Sequence, residues 1–204
     1  MIEFQAWPKT PRLFRDVVIT EKIDGTNAAV IISECASYVD TVAPPASANV
    51  EIDGRRFHVG AQSRKRLITP GDDNFGFAAW VAENADALTR LLGPGYHFGE
   101  WWGSGIQRGY GLAKGEKRFS LFNVARYADA DLSEVPGLGV VPVLYTGAND
   151  TVHVRRALDD LTVYGSQASR GFMRPEGVVV FHTAARTVFK ALIENDETPK
   201  GTNA

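Results

Sequence analysis

Cysteine is nearly absent: Cys35 is the only one in 204 residues. A single thiol makes no intramolecular disulfide and no multi-cysteine zinc site, which fits a reducing cytoplasm. No apolar run approaches the roughly 20 residues with which a helix crosses a bilayer, so no membrane partner is expected. The opening stretch MIEFQAWPKTPRLF lacks the basic segment and apolar core of a signal peptide. Neither sign of charge dominates: 22 Lys and Arg stand against 24 Asp and Glu, a formal net charge of −2. That balance excludes a global pull towards nucleic acid. Internal repeats and long low-complexity tracts are missing. The four histidines, 58, 97, 153 and 182, are scattered without metal-ligand spacing and read as structural.

What is present is ordinary globular material, 44% hydrophobic and 23% charged, enough for one domain or at most two small ones. Local basic clusters occur at Arg55–Arg56, Arg64–Arg66 and Lys114 to Arg118. They read either as solvated surface charge or as a phosphate-tracking face gathered by folding. Short β-branched or aromatic runs at 17–20, 28–32, 57–60, 97–101, 119–124, 140–145, 178–181 and 187–191 predict strands. The segment Thr41–Asn49, rich in Pro, Ala and Ser, reads as a loop. Apolar residues at 77, 80, 81, 88, 91 and 92 predict a helix over 74–92, closed by Gly93 and Pro94, and a second helix is expected over 152–161. Many strands with few helices give an α+β, largely antiparallel fold. A domain over 1–193 and a polar, fraying tail over 194–204 are expected.

In Val18-Ile19-Thr20-Glu21-Lys22-Ile23-Asp24-Gly25-Thr26-Asn27 a strand runs into a glycine turn, with a lysine at the strand end. Covalent nucleotidyl transfer needs such an amine, unprotonated, to attack the α-phosphorus of a nucleotide. Taken alone, Lys-x-Asp-Gly is a weak pattern, equally served by a β-hairpin in which Asp24-Gly25 makes the turn.

Order adds specificity. After Lys22 come Ala61-Gln62-Ser63-Arg64, Phe98-Gly99-Glu100-Trp101, Phe119-Ser120-Leu121-Phe122-Asn123-Val124, Glu176-Gly177-Val178-Val179-Val180 and Val188-Phe189-Lys190. This series resembles the collinear motifs of the covalent nucleotidyltransferases: ATP-dependent DNA ligases, RNA ligases and mRNA capping enzymes. Lys-x-Asp-Gly-Thr-Asn looks most like the RNA ligases of the phage RNA ligase 2 and editing-ligase group.

The resemblance implies an ATP-grasp-like nucleotidyltransferase core of two antiparallel sheets with flanking helices. It implies ATP as AMP donor, Mg²⁺ or Mn²⁺ as cofactor and nucleic acid, RNA first, as partner. The residues it makes catalytic are Lys22, which forms lysyl-AMP, Lys190, which contacts the α-phosphate, and Glu176, which places the metal. Nucleotide binding falls to Glu21 (through its main chain), Ile23, Asn27 (in the later polynucleotide steps), Arg64, Glu100 (at the ribose, directly or by shaping the pocket), Phe122 (stacked on adenine) and Lys190. Phe119 is the rival for stacking. Each also has a plainer place: Glu100 on an edge strand, Phe122 in the core, Glu176 in a turn.

The sequence departs from the pattern at two points. Lys190 is followed by Ala191 and Leu192, where the family often has a second lysine one residue on, so Lys200 or another cation is left to substitute. Only about a dozen residues follow Lys190, too few for an OB domain. Only 21 precede Lys22, which favours ATP over NAD. End recognition is left open to a partner protein, and closure to the Gly-rich stretch 103–115 with Arg108 and Lys114. A DNA ligase core, a capping-type guanylyltransferase and a binding module that has lost the chemistry are the competing readings.

Overall fold

The short β-branched and aromatic runs form strands, and the computed structural model describes residues 2–36, 46–194 and 196. The elements run β1 Asp16–Lys22, β2 Thr26–Cys35, β3 Ala48–Ile52, β4 Arg55–Ser63, β5 Leu67–Ile68, α1 Phe77–Glu83, α2 Ala85–Leu92, β6 Gly95–Gly103, β7 Lys117–Leu121, a 3-10 turn Leu132–Glu134, β8 Leu138–Val140, β9 Val143–Ala148, α3 Thr151–Tyr164, β10 Gly177–His182 and β11 Thr187–Leu192. None of the described helices is long and apolar enough to cross a membrane. The fold class is the expected α+β one, with two sheets.

Contacts divide the chain into two units. The first comprises Met1–Lys22, Pro142–Gln167 and Met173–Ala204. Its four-stranded antiparallel sheet has the order β11-β10-β1-β9. Period-two alternation sends Val17, Ile19, Val178 and Val180 to one face, where Ala157 and Leu161 of α3 pack on them, flanked by Val154 and Leu158. Asp150 starts α3, its carboxylate accepting from the Val152 N–H at 3.0 Å, and Gly165 with φ 80° ends it.

The second unit comprises Ile23–Val141 and Ala168–Phe172. Its sheet runs β3-β4-β2-β6-β7-β8, with β5 paired to β4. One face carries the larger core: Val30, Val59, Trp101 and Phe119 pack against Phe77 and Val81 of α1 and Leu88 of α2. Phe77 lies 5.3 Å from the Trp101 ring and 4.9 Å from Phe119. At this distance aromatic pairs add to area burial. The opposite face of β2, β6 and β7 carries Asn27, Phe98, Glu100 and Ser120, as the register Asn27↔Glu100↔Ser120 requires.

Several expectations are corrected in detail. Lys22 and Thr26 do not belong to a hairpin, because β1 pairs with β9 and β10 whereas β2 pairs with β4 and β6. The expected strand 140–145 is two strands in different sheets, interrupted at Pro142, which has no N–H to give a ladder. The expected helix 74–92 is broken at Asn84, whose side-chain amide donates to the Trp80 carbonyl at 2.8 Å. The strand expected over 119–124 stops at Leu121. Ala48 and Asn49, read as loop, begin β3. Residues 41–45 of that loop, and most of the expected tail including Lys200, lie outside the described residues. One pairing, β7 with β8, is parallel.

Candidate active site

In the first unit the nucleophile candidate stands at the end of β1, opposite Gly177 of β10. Lys22 Nζ lies 2.6 Å from Glu176 Oε2, with side-chain exposures of 23% and 6%. Gly177 is required beside it: its φ is +153°, and a Cβ there would collide with the Ala191 carbonyl and the Leu192 backbone. The register Thr20↔Val179↔Lys190 puts Lys190 on the same sheet face as Thr20 and Lys22. That face is the one turned away from α3. Lys190 is exposed on the edge strand.

Glu21 points the other way. It is buried, and its carboxylate accepts from Ser166 Oγ at 2.6 Å and the Gln167 N–H at 2.8 Å. The side chain therefore ties the end of β1 to the chain that follows α3. Neither Ser166 nor Gln167 carried any signal in the sequence.

In the second unit the Ile23–Asn27 turn is held from four directions. Ile23 is buried with Trp102, Tyr110 and Val141, so its side chain packs in the core of this unit. The Asp24 N–H donates to Tyr110 Oη at 3.0 Å, and Arg108 Nε to the Asp24 carboxylate at 3.1 Å. The Gly25 N–H donates to Glu100 Oε1 and Asn27 Nδ2 to Glu100 Oε2, both at 3.1 Å. Gly25 owes its identity to close approach: a Cβ would fall on the Trp101 carbonyl oxygen and the Trp102 Cβ. Glu100, expected at the ribose or shaping its pocket, is buried and braces the lysine turn. In the Gly-rich stretch 103–115, Ile106 and Tyr110 are buried, and Arg108 and Tyr110 support the same turn.

Phe119 and Phe122 separate cleanly. Phe119 is fully buried among Phe77 and Trp80, while Phe122 is 41% exposed and its N–H donates to the Phe98 carbonyl at 3.0 Å. Only Phe122 of the two offers a ring face. Arg64 is exposed just past β4, one residue beyond the pair Ala28↔Ser63, as Asn27 is on the facing strand. Asn27, Arg64 and Glu100 thus share one end of this sheet. Much of the remaining basic charge is paired: Arg55 with Glu34, Arg56 with Glu51, Arg66 with Asp72 and Arg118 with Glu116.

Among the described residues no group of three or more His, Cys, Asp or Glu gathers as a ligand set. A hard cation that keeps most of its water needs no such set, and the single buried carboxylate of Glu176 fits one.

The RNA ligase family profile matches residues 15–192. No curated protein matches the chain. Among solved structures, a Naegleria gruberi RNA ligase variant with AMP and manganese is similar with a TM-score of 0.54 at 18% identity, covering 87% of this chain and 49% of that one. A second variant with the same ligands gives 0.52 at 18%, with the same coverage. An unliganded variant gives 0.51 at 17%, again over 87% and 49%. The chain thus spans about half the length of these proteins.

Proposed function

We propose, from the premise that this chain belongs to the RNA ligase family, that it activates and joins RNA ends through a covalent lysyl-AMP on Lys22. The observation that carries this is the pairing of Lys22 Nζ with Glu176 Oε2 at 2.6 Å, at the end of a strand. In the first step Nζ attacks the α-phosphorus of ATP. A P–N bond forms, the bond to the β-phosphate oxygen breaks, and pyrophosphate leaves. Nζ must lose a proton, and Glu176 stands within hydrogen-bond reach to orient the amine and take it. AMP then passes to a 5′-phosphate, and is released when a 3′-OH attacks that phosphate.

Lys190, on the face of Lys22, meets the charge gathering on the α-phosphate. Phe122 provides the stacking surface for adenine, and Asn27 and Arg64 serve the sugar and phosphates. Glu21 and Glu100 keep the main chain on either side of Lys22 in place for this work. A Mg²⁺ or Mn²⁺ held by Glu176 and water supplies further positive charge to the phosphates when bound. A cytoplasmic setting belongs to the same reading, supported by the single free Cys35.

The test is incubation with α-labelled ATP and Mg²⁺ or Mn²⁺, followed by denaturation, after the protein has been stripped with pyrophosphate. Wild type should carry label and Lys22→Ala none. Nicked and single-stranded RNA and DNA then separate the sugar preference. A folded wild type that takes no label overturns the proposal.

A further inference from the structure

Residues 2–15 run as an exposed strip with no strand or helix. Three aromatic rings stand in the open: Phe4 is 93% exposed, Trp7 89% and Phe14 83%. Lys9 and Arg12 lie between Trp7 and Phe14, and Arg15 follows Phe14, against one acid, Glu3, in a chain whose overall balance is −2. Pro8 and Pro11 restrict the backbone to extended conformations. The strip is fastened at its root. The Leu13 carbonyl accepts from His182 Nε2 at 2.7 Å, from Asn149 Nδ2 at 3.0 Å and from the Arg15 N–H at 3.0 Å. At that root Leu13, Val17, His182 and Phe189 wall a cavity of about 240 Å³, smaller than sites that hold drug-sized ligands.

Exposed aromatic rings are costly in water unless something covers them. Rings interleaved with cations on an extended backbone match the way single strands are held, bases stacking on rings and phosphates meeting Lys and Arg. An amphipathic membrane helix is a poorer match, since the strip is not helical.

We infer that residues 2–15 form a single-stranded RNA-binding strip, in which Phe4, Trp7 and Phe14 stack on bases and Lys9, Arg12 and Arg15 contact phosphates. It rests on the RNA ligase reading for its choice of RNA over DNA. Its work is to hold an RNA end near the protein without taking part in the chemistry at Lys22.

The experiment measures anisotropy of a fluorescein-labelled 15-nucleotide single-stranded RNA with the full chain, without ATP, across a salt series. Wild type is compared with F4A/W7A/F14A and K9A/R12A/R15A. The aromatic variant is expected to bind about tenfold or more weakly. The cation variant should lower the slope of log K against log salt by about 2, at roughly 0.7 for each lost phosphate contact. AMP uptake by Lys22 should be unchanged in both, which also shows that they fold. As an independent reading, saturating RNA should lower acrylamide quenching in wild type but not in Trp7→Phe, the control for the partly buried Trp80, because Trp101 and Trp102 are buried already.

Unchanged affinity and slope in both variants, or quenching indifferent to RNA, would overturn the inference. So would wild-type self-association abolished by F4A/W7A/F14A with RNA affinity intact, which would assign the rings to a second copy. Absent AMP uptake by wild type, with the variants still losing RNA, would remove the ligase reading and leave the strip standing.

Discussion

At the scale of single residues, the lysine motif is a demand on space as much as on chemistry. Gly25 has no room for a methyl group, so Gly25→Ala should push β6 away and cost about 1–3 kcal/mol. A denaturant midpoint lowered accordingly, with AMP uptake reduced at least tenfold, is the expected result. Glu100→Ala strips the acceptor from the Gly25 N–H and the Asn27 amide and should cost on the order of 1–3 kcal/mol. Glu100→Gln keeps an acceptor oxygen for Gly25 and should recover part of that loss in the same measurement. Lys22 and the ordered motifs were legible because the residue types themselves are the signal. The burial of Ile23 was not, since Trp102 and Tyr110, which enclose it, lie about eighty positions on and nothing local announces them. Phe122 could be told from Phe119 only once the end of β7 was known: a strand continued to 124 leaves the two rings' environments open, whereas one ending at Leu121 frees Phe122.

Elements show where local chemistry overrides periodicity. α1 begins at Phe77 without a cap from Gly76, yet its first N–H groups are not left bare. Asp73 accepts from the Ala78 N–H at 2.8 Å and the Ala79 N–H at 3.0 Å, reaching forward from before the helix. Asp73→Ala should therefore lower stability by about 1–2 kcal/mol in thermal or urea unfolding, with Asp73→Asn losing less. Leaving AMP uptake per folded molecule unaltered would mark the effect as one of helix capping. The apolar spacing of 77 to 92 was read as a single helix because it continues across Asn84, where α1 ends and α2 begins. The stop at Gly93 was legible, its left-handed φ of 68° being a glycine conformation. In β8 and β9 the apolar run hid a crossing, and only Pro142 marked it.

For the molecule as a whole, His97 couples stability to acid. It is buried in the second unit, its Nε2–H donating to the Gly93 carbonyl at 2.9 Å and its Nδ1 placed 2.7 Å from Tyr127 Oη. The Gly93 carbonyl accepts from the ring and by itself favours the charged form, but burial outweighs it and keeps the imidazole neutral. Burial, aided by the charge of Arg126, lowers its pKa from 6.5 to about 4. Above pH 6.5 the ring is neutral folded and unfolded, and contributes nothing. As pH falls from 6.5 towards 4 the unfolded chain binds a proton that the folded one refuses, and stability declines by up to about 3 kcal/mol. Urea midpoints at pH 7.5, 5.5 and 4.5 should fall for wild type, and His97→Gln should flatten that fall. A pH dependence identical in the two proteins would contradict this assignment. The α+β class and most strand cores were legible, because alternation is written locally, whereas the short β3 and β5 were not. Sheet order was not: it joins β1 to β10 and β2 to β6, pairings that no single stretch of sequence encodes.

The Lys22–Glu176 pair spans 154 positions of chain. During synthesis the lysine leaves the ribosome early and waits for β9 and β10, its strand partners, to follow. Until they arrive β1 has no ladder and Lys22 lacks Glu176. On the proposed reading, a nascent chain, or one cut short before Glu176, lacks the pair on which AMP uptake depends, and that uptake becomes a report that translation has passed that point.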